Sequence, residues 1–277
     1  MLTYVLQLLA QEGHGTRLAF KGGTALRKLV FGPTGRFSVD LDFVALDDAQ
    51  PGPDEDLVRD FSNVTFYDIE LRMVDFAYTG PNTFRASLSY EHRDGRQEIR
   101  VEISQRQDIV ITPKARALLR EVYFPRLEFA PLDVVSLHPQ EMLAEKILAC
   151  NRRGRGGSAR DIYDLYQFAR LGFDNRVVTS LTCLKAWTDG VVFSPTEFLR
   201  SVEPSNYDWT ALKGLVGSQR ETDRSGICAR VLDRYSVLAD ISELDKCVLD
   251  DAALHRNRQC YEDLAEAVRA EVRRRGL

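Results

Sequence analysis

Apolar residues in this chain follow one pattern up to about residue 130 and another beyond it. The first part mixes short apolar runs with single helical stretches. Residues 2–12 carry a helical spacing. Leu18-Ala19-Phe20 reads as a short strand that ends at Gly22-Gly23, with Thr24 as the cap of a helix through Ala25–Val30. Gly32-Pro33-Thr34-Gly35 is a turn, Ser38 to Ala45 a strand, residues 47–53 a loop and residues around 54–62 a helix. Three strand-like runs follow at Glu70–Phe76, Thr83–Tyr90 and Glu98–Ser104. Asp94-Gly95 between the last two is a hairpin signal. In the third run Ile99, Val101 and Ile103 share one face, and Arg100, Glu102 and Ser104 the other.

Beyond residue 130 the spacing is helical. Pro139 opens a helix through Leu148. Asn151–Ser158 reads as a basic, glycine-rich loop, and Ser158 as the cap of a helix over Ala159–Arg170 that stops at Gly172. Further helices lead to a last one over Glu262–Arg275. Pro125, Pro131 and Pro139 punctuate the boundary. The expectation is an α+β protein: a first domain, 1–130, with a small mixed β-sheet and flanking helices, and a mostly helical second domain, 131–277.

Composition narrows the function classes. A length of 277 residues is enough for two modest cores. Net charge is −4, so the molecule as a whole is not a basic nucleic-acid binder, and contact with a polyanion must come from a local patch. The five cysteines are scattered and predict buried, reduced thiols; the four histidines are dispersed and offer no metal-ligand spacing. The apolar N-terminal stretch has no basic flank and is too short to cross a bilayer, and no other segment is long enough. The expected location is the cytoplasm.

The candidate chemistry is concentrated in the first domain. Asp40 and Asp42 lie two apart in an extended segment, so both carboxylates fall on one face. Such a pair repels itself unless a cation lies between, and magnesium prefers carboxylate and phosphate oxygens. Gly22 and Gly23 stand before a helix, where backbone N–H groups bind anions and glycine leaves room for a phosphate. Lys21 and Thr24 add a cation and a hydroxyl. Together these are the parts needed to hold a nucleoside triphosphate and its metal ions. Ser38 is either a polar strand-edge residue or a phosphate contact, itself open to modification. Glu102 is either a third metal-binding carboxylate or half of a cross-strand ion pair with Arg85 or Arg100. Lys146 either snorkels from an apolar stripe or reaches a triphosphate. Asp161 either complements a helix N-terminus or joins the site. Arg152, Arg153, Arg155 and Arg160 form the densest basic cluster, a solvated loop or an RNA contact.

Five stretches, in order, carry a resemblance: Lys21-Gly22-Gly23-Thr24-Ala25-Leu26, Arg36-Phe37-Ser38-Val39-Asp40-Leu41-Asp42-Phe43, Val101-Glu102-Ile103-Ser104, Glu145-Lys146-Ile147 and Ala159-Arg160-Asp161-Ile162-Tyr163-Asp164-Leu165. The chain resembles the AbiEii/MenT-type nucleotidyltransferase toxins of bacterial toxin–antitoxin systems. The resemblance implies a catalytic domain of the nucleotidyltransferase type. Asp40 and Asp42 would bind magnesium, two ions being expected, with Glu102 as their third carboxylate. Lys146 and Asp161 would complete the nucleotide site and Ser38 would lie beside it. It further implies transfer of a nucleotide from a nucleoside triphosphate to RNA, with the tRNA 3′ acceptor end favoured, and a separate antitoxin protein as partner. Two rivals stay open: nucleotidyl or phosphoryl transfer to a protein or small molecule, and a non-catalytic member that only binds nucleotide or RNA.

Overall fold

The alternation of the first half builds one sheet. The structure, a computed structural model, describes residues 1–46, 53–79, 82–92, 95–105, 109–153, 157–217 and 223–277. Helix α1 (Leu2–Gln11) precedes β1 (Leu18–Lys21), and α2 (Gly22–Ala25) starts where β1 ends and continues as a π-type turn over Leu26–Phe31. Then come β2 (Asp40–Ala45), α3 (Pro53–Asp60), β3 (Val64–Phe66), β4 (Ile69–Tyr78), β5 (Thr83–His92), β6 (Gly95–Ser104), β7 (Lys114–Arg116) and β8 (Val134–Ser136). The eight strands lie in the order β3-β4-β5-β6-β2-β1-β8-β7. Within this sheet, among the described residues, β2 with β6 and β1 with β8 run parallel and the other pairs antiparallel, so the sheet is mixed, as expected. It is also wider than the small sheet expected, because β3, β7 and β8 are three-residue runs too short to show alternation. Strands β5 and β6 pair down to His92 and Gly95; the turn residues Arg93 and Asp94, like the expected loop over residues 47–52, lie outside the described residues.

One face of this sheet is apolar. Leu41, Phe43, Phe84, Leu88, Val101 and Ile103 are all buried. Each such side chain contributes about 1.5–3 kcal/mol by leaving water. That burial also fixes the register: a slip of one residue would turn Asp40 and Asp42 into the core, so the apolar face holds the acids on the other one.

The helical half follows with α4 (Pro139–Arg153), β9 (Gly157–Ser158), α5 (Ala159–Leu171), α6 (Asn175–Thr188), α7 (Pro195–Ser201), β10 (Tyr207–Asp208), α8 (Arg224–Tyr235), α9 (Glu243–Asp251) and α10 (Arg258–Arg275). α4 runs five residues beyond the expected end at Leu148, so Arg152 and Arg153 belong to its last turn and not to a loop. Ser158 caps α5 through its side chain, as expected.

The chain divides into two compact units. The first comprises Met1–Pro33, Phe37–Gln107 and Pro113–Leu137; the second comprises Thr34–Arg36, Asp108–Thr112 and His138–Leu277. The helical unit thus takes in two short pieces of the earlier chain. Each is fixed by a buried charge within that unit. Arg36 pairs with Asp164 on α5, and the amides of Val110 and Ile111 both donate to Glu141 Oε1 at 2.7 Å. Val110 and Ile111 join the core formed with Leu181, Leu184, Leu264 and Val268. Lys185, 2% exposed, holds the second Glu141 oxygen at 2.7 Å.

The cysteines depart from the expectation. Cys150, Cys183 and Cys228 are buried and form no disulfide, but Cys247 and Cys260 form one between α9 and α10. The two lie 13 positions apart, with no C-x-x-C or similar pattern to announce the pairing; it follows from the packing of the two helices. Among the described residues no helix is long and apolar enough to cross a membrane.

Candidate active site

The first unit builds its site around the end of β1. Lys21 is extended, and Gly22 turns into the left-handed region at φ 76°. The Asp42 carboxylate packs against this turn: a Cβ placed on Gly22 would lie 2.8 Å from Asp42 Cγ. Only glycine satisfies both the backbone angle and the space. The helix starts at Gly22, so Thr24 is not its cap. It is buried inside the first turn, and its hydroxyl donates to the Asp40 carbonyl. This corrects the expectation that the Thr24 hydroxyl faces a phosphate; it ties the turn to β2 instead. Arg27 pairs with Glu121 at 3.0 Å, and the buried Lys28 ammonium donates to Thr3 and Tyr123 at 2.8 and 2.9 Å. These contacts anchor the helix behind the glycine pair.

Strand register aligns the charged groups. Lys21 is opposite Asp42, Asp42 opposite Glu102, and Glu102 opposite Arg85. Residues paired in this way share a face, so four neighbouring strands present cation, acid, acid, cation in one row. Asp40, two residues from Asp42, sits on the same face opposite Arg100. Both aspartates are half-buried. Of the two readings for Glu102, the ion pair is formed: Arg85 Nε lies 2.7 Å from its Oε2. Both partners are substantially exposed, so this pair is worth about 0–1 kcal/mol and is easily exchanged.

The donor chemistry fits a hard cation. Asp40 and Asp42 point the same way from a rigid strand, and magnesium is commonly held by one or two carboxylates together with phosphates and water. Among the described residues no group of three or more His, Cys, Asp and Glu side chains is gathered to hold a metal ion.

The second unit brings together Lys146 and Asp161, and two residues that motif reading left without a role. Lys146 Nζ lies 2.9 Å from Asp161 Oδ1 and 3.0 Å from Asp164 Oδ2. Arg36 grips Asp164 with two nitrogens at 3.0 and 2.9 Å. Arg36, Asp161 and Asp164 are all buried. Burial by itself lowers the Lys146 pKa, but Asp164 and Asp161 outweigh it and hold it above the ordinary value, so the ammonium stays charged at neutral pH. The two acids lie three apart on α5, a spacing that puts them on one helix face; that was the available signal for Asp164. Nothing local in the sequence pointed to Arg36.

Ser38 precedes β2 and is half-buried, so it is not the strand residue expected. Arg160 is exposed, and its backbone and side chain both donate to Ser158 Oγ at 3.3 Å. Arg155 lies outside the described residues, as do the side chains of Arg152 and Arg153.

Residues 4–194 match the family described as nucleotidyl transferase AbiEii toxin, type IV TA system. Among solved structures the chain is similar to MenT4, the nucleotidyltransferase toxin Rv2826c from Mycobacterium tuberculosis H37Rv. Identity is 25% and the TM-score 0.79, over 97% of this chain and 91% of that one. JHP933 from Helicobacter pylori is 16% identical with a TM-score of 0.48, over 93% of this chain and 97% of that one, a likeness that carries no argument. No curated protein sequence matches the chain significantly.

Proposed function

The chain belongs to the AbiEii family of nucleotidyl transferase toxins of type IV toxin–antitoxin systems, and on that premise we propose that it moves a nucleoside monophosphate from a nucleoside triphosphate onto RNA, with the tRNA 3′ acceptor end as acceptor. The observation that carries the reading is the Asp42 carboxylate seated against the Gly22 turn, with Asp40 on the same face.

In this reading the amides of Gly22 and Gly23 and the Lys21 ammonium hold the triphosphate. Asp40 and Asp42 would hold Mg²⁺, joined by Glu102 once it leaves Arg85; when bound, the ions neutralise phosphate charge and activate the acceptor hydroxyl for in-line attack. The acceptor oxygen bonds to the α-phosphorus, and its proton passes to solvent. The bond from that phosphorus to the bridging oxygen breaks, and pyrophosphate departs. Roles for Lys146 and Asp161 toward the nucleotide rest on the sequence resemblance alone. So do those of Ser38 and of an arginine cluster that guides RNA. The partner is a cognate antitoxin, and the site of action the cytoplasm, where triphosphates and tRNA are found.

The test is the intact mass of tRNA after incubation with the protein, Mg²⁺ and each nucleoside triphosphate separately. A gain of one or more nucleotide residues with one of them supports the proposal. A gain on the protein itself, or no gain on any acceptor, contradicts it. The turn gives an independent check. Gly22→Ala is expected to reduce transfer about 100-fold, because the new methyl pushes the Asp42 carboxylate aside and a shift of about 1 Å is enough for such a loss. The same change costs about 1–2 kcal/mol of stability from the left-handed backbone, read by urea unfolding.

A further inference from the structure

We propose that the exposed face of β4, β5 and β6 receives the single-stranded end of the acceptor RNA through Arg100 and Arg72. The inference rests on the RNA-transfer reading and adds the side from which the acceptor comes.

Two rows of the sheet carry the argument. In one, Asp40, Arg100 and Ser87 are successive register partners; in the next, Glu98, Ser89 and Arg72 are. Both rows lie on the face opposite the apolar core. Arg85 and Arg96 of this face are engaged, with Glu102 at 2.7 Å and Ser89 at 3.0 Å. Arg100 and Arg72 are exposed, and among the described residues neither guanidinium makes a hydrogen bond or ion pair; Arg72 is tied to its neighbour strand only through its backbone, whose carbonyl accepts from Ser89 Oγ. Each keeps a fork of donors matched to a phosphate.

Their position relative to the acids sets the occupant. The Gly22 turn lies on the β1 side of Asp42, while Arg100 and Glu102 lie on its β6 side. A triphosphate held at the turn leaves the β6 side for the acceptor hydroxyl. A phosphodiester approaching there would be repelled by Asp40 and Glu102 unless a cation stood beside them, and Arg100 is Asp40's register neighbour. Arg72 continues the track two strands further on and one row along, about 12 Å away. The exposed acids Asp75 and Glu98 flank it, so the positive strip is narrow. It fits a short strand end and not the side of a duplex.

The experiment measures binding of a fluorescent single-stranded oligoribonucleotide by anisotropy across a salt series, in the Asp42→Ala background so that nothing turns over. Replacing both arginines (Arg72→Ala with Arg100→Ala) is expected to weaken binding at least tenfold at low salt. The salt dependence should fall by about 0.7 in log–log slope per arginine removed. Arg100→Lys should keep the slope. In the active protein the same double change should raise KM for tRNA and leave KM for the triphosphate unchanged. Unchanged affinity and slope in the double variant, or a rise in the triphosphate KM alone, would overturn the proposal. If RNA binds through these arginines but no nucleotide is ever transferred to it, the transfer reading fails while this surface stands. If transfer proceeds at native KM without them, the reverse holds.

Discussion

Asp42→Ala is expected to cut nucleotidyl transfer about a thousandfold, a loss of roughly 4 kcal/mol of transition-state stabilisation. Asp42 is the acid where the two halves of the site meet: register places it between Lys21 and Glu102, and its carboxylate packs on Gly22. Its removal takes away one of two adjacent negative charges without opening the core, because Leu41 and Phe43 keep the strand seated. The thermal midpoint should therefore hold or rise while activity collapses. The measurement is transfer of labelled nucleotide to total tRNA with Mg²⁺, beside a thermal melt of the same preparation. Transfer unaffected by the change would contradict the assigned metal role. A collapse of both activity and midpoint would show that Asp42 serves the fold.

Arg36→Ala should show the opposite signature in stability. Asp164 is 1% exposed and receives two charge-assisted hydrogen bonds from Arg36. Removing one partner of a buried pair leaves an uncompensated charge, at a cost of about 3–5 kcal/mol. Lys146 remains 3.0 Å from Asp164, which places the expected loss near 3 kcal/mol. Urea unfolding of the native chain and of Arg36→Ala reads it directly. Joint replacement by apolar residues, Arg36→Met with Asp164→Leu, is expected to recover most of the loss, since hydrophobic packing often replaces a buried ion pair without penalty. A loss under about 1 kcal/mol for the single change would mean that the pair is hydrated in solution.

The parts of the site that could be read from sequence are those set by local geometry. A strand period of two dictates that Asp40 and Asp42 share a face. A glycine pair between a strand and a helix marks a turn that other residues resist. The pairing of Glu102 was visible only as two alternatives, because alternation gives the face of a residue and not its register partner; Arg85 became that partner once β5 and β6 were aligned. Thr24 was misread because the helix starts three residues earlier than a cap at that position requires. Arg36 and Asp164 are separated by 128 positions, and Cys247 and Cys260 meet through helix packing. Such contacts leave no periodic trace in a single chain. Strands β7 and β8 were hidden for another reason: three residues among prolines carry too little pattern.

The two pieces of early chain held in the helical unit have a consequence for synthesis on the ribosome. Residues 34–36 and 108–112 are made long before α4 and α5, which supply Glu141 and Asp164. A nascent polypeptide that stops near residue 137 already carries both aspartates and the glycine turn, yet its Arg36 guanidinium and the amides of Val110 and Ile111 still await their anionic counterparts. Completion of the helical unit is therefore coupled to translation of the remainder, and a prematurely terminated product is left with a charge and two amide donors unsatisfied.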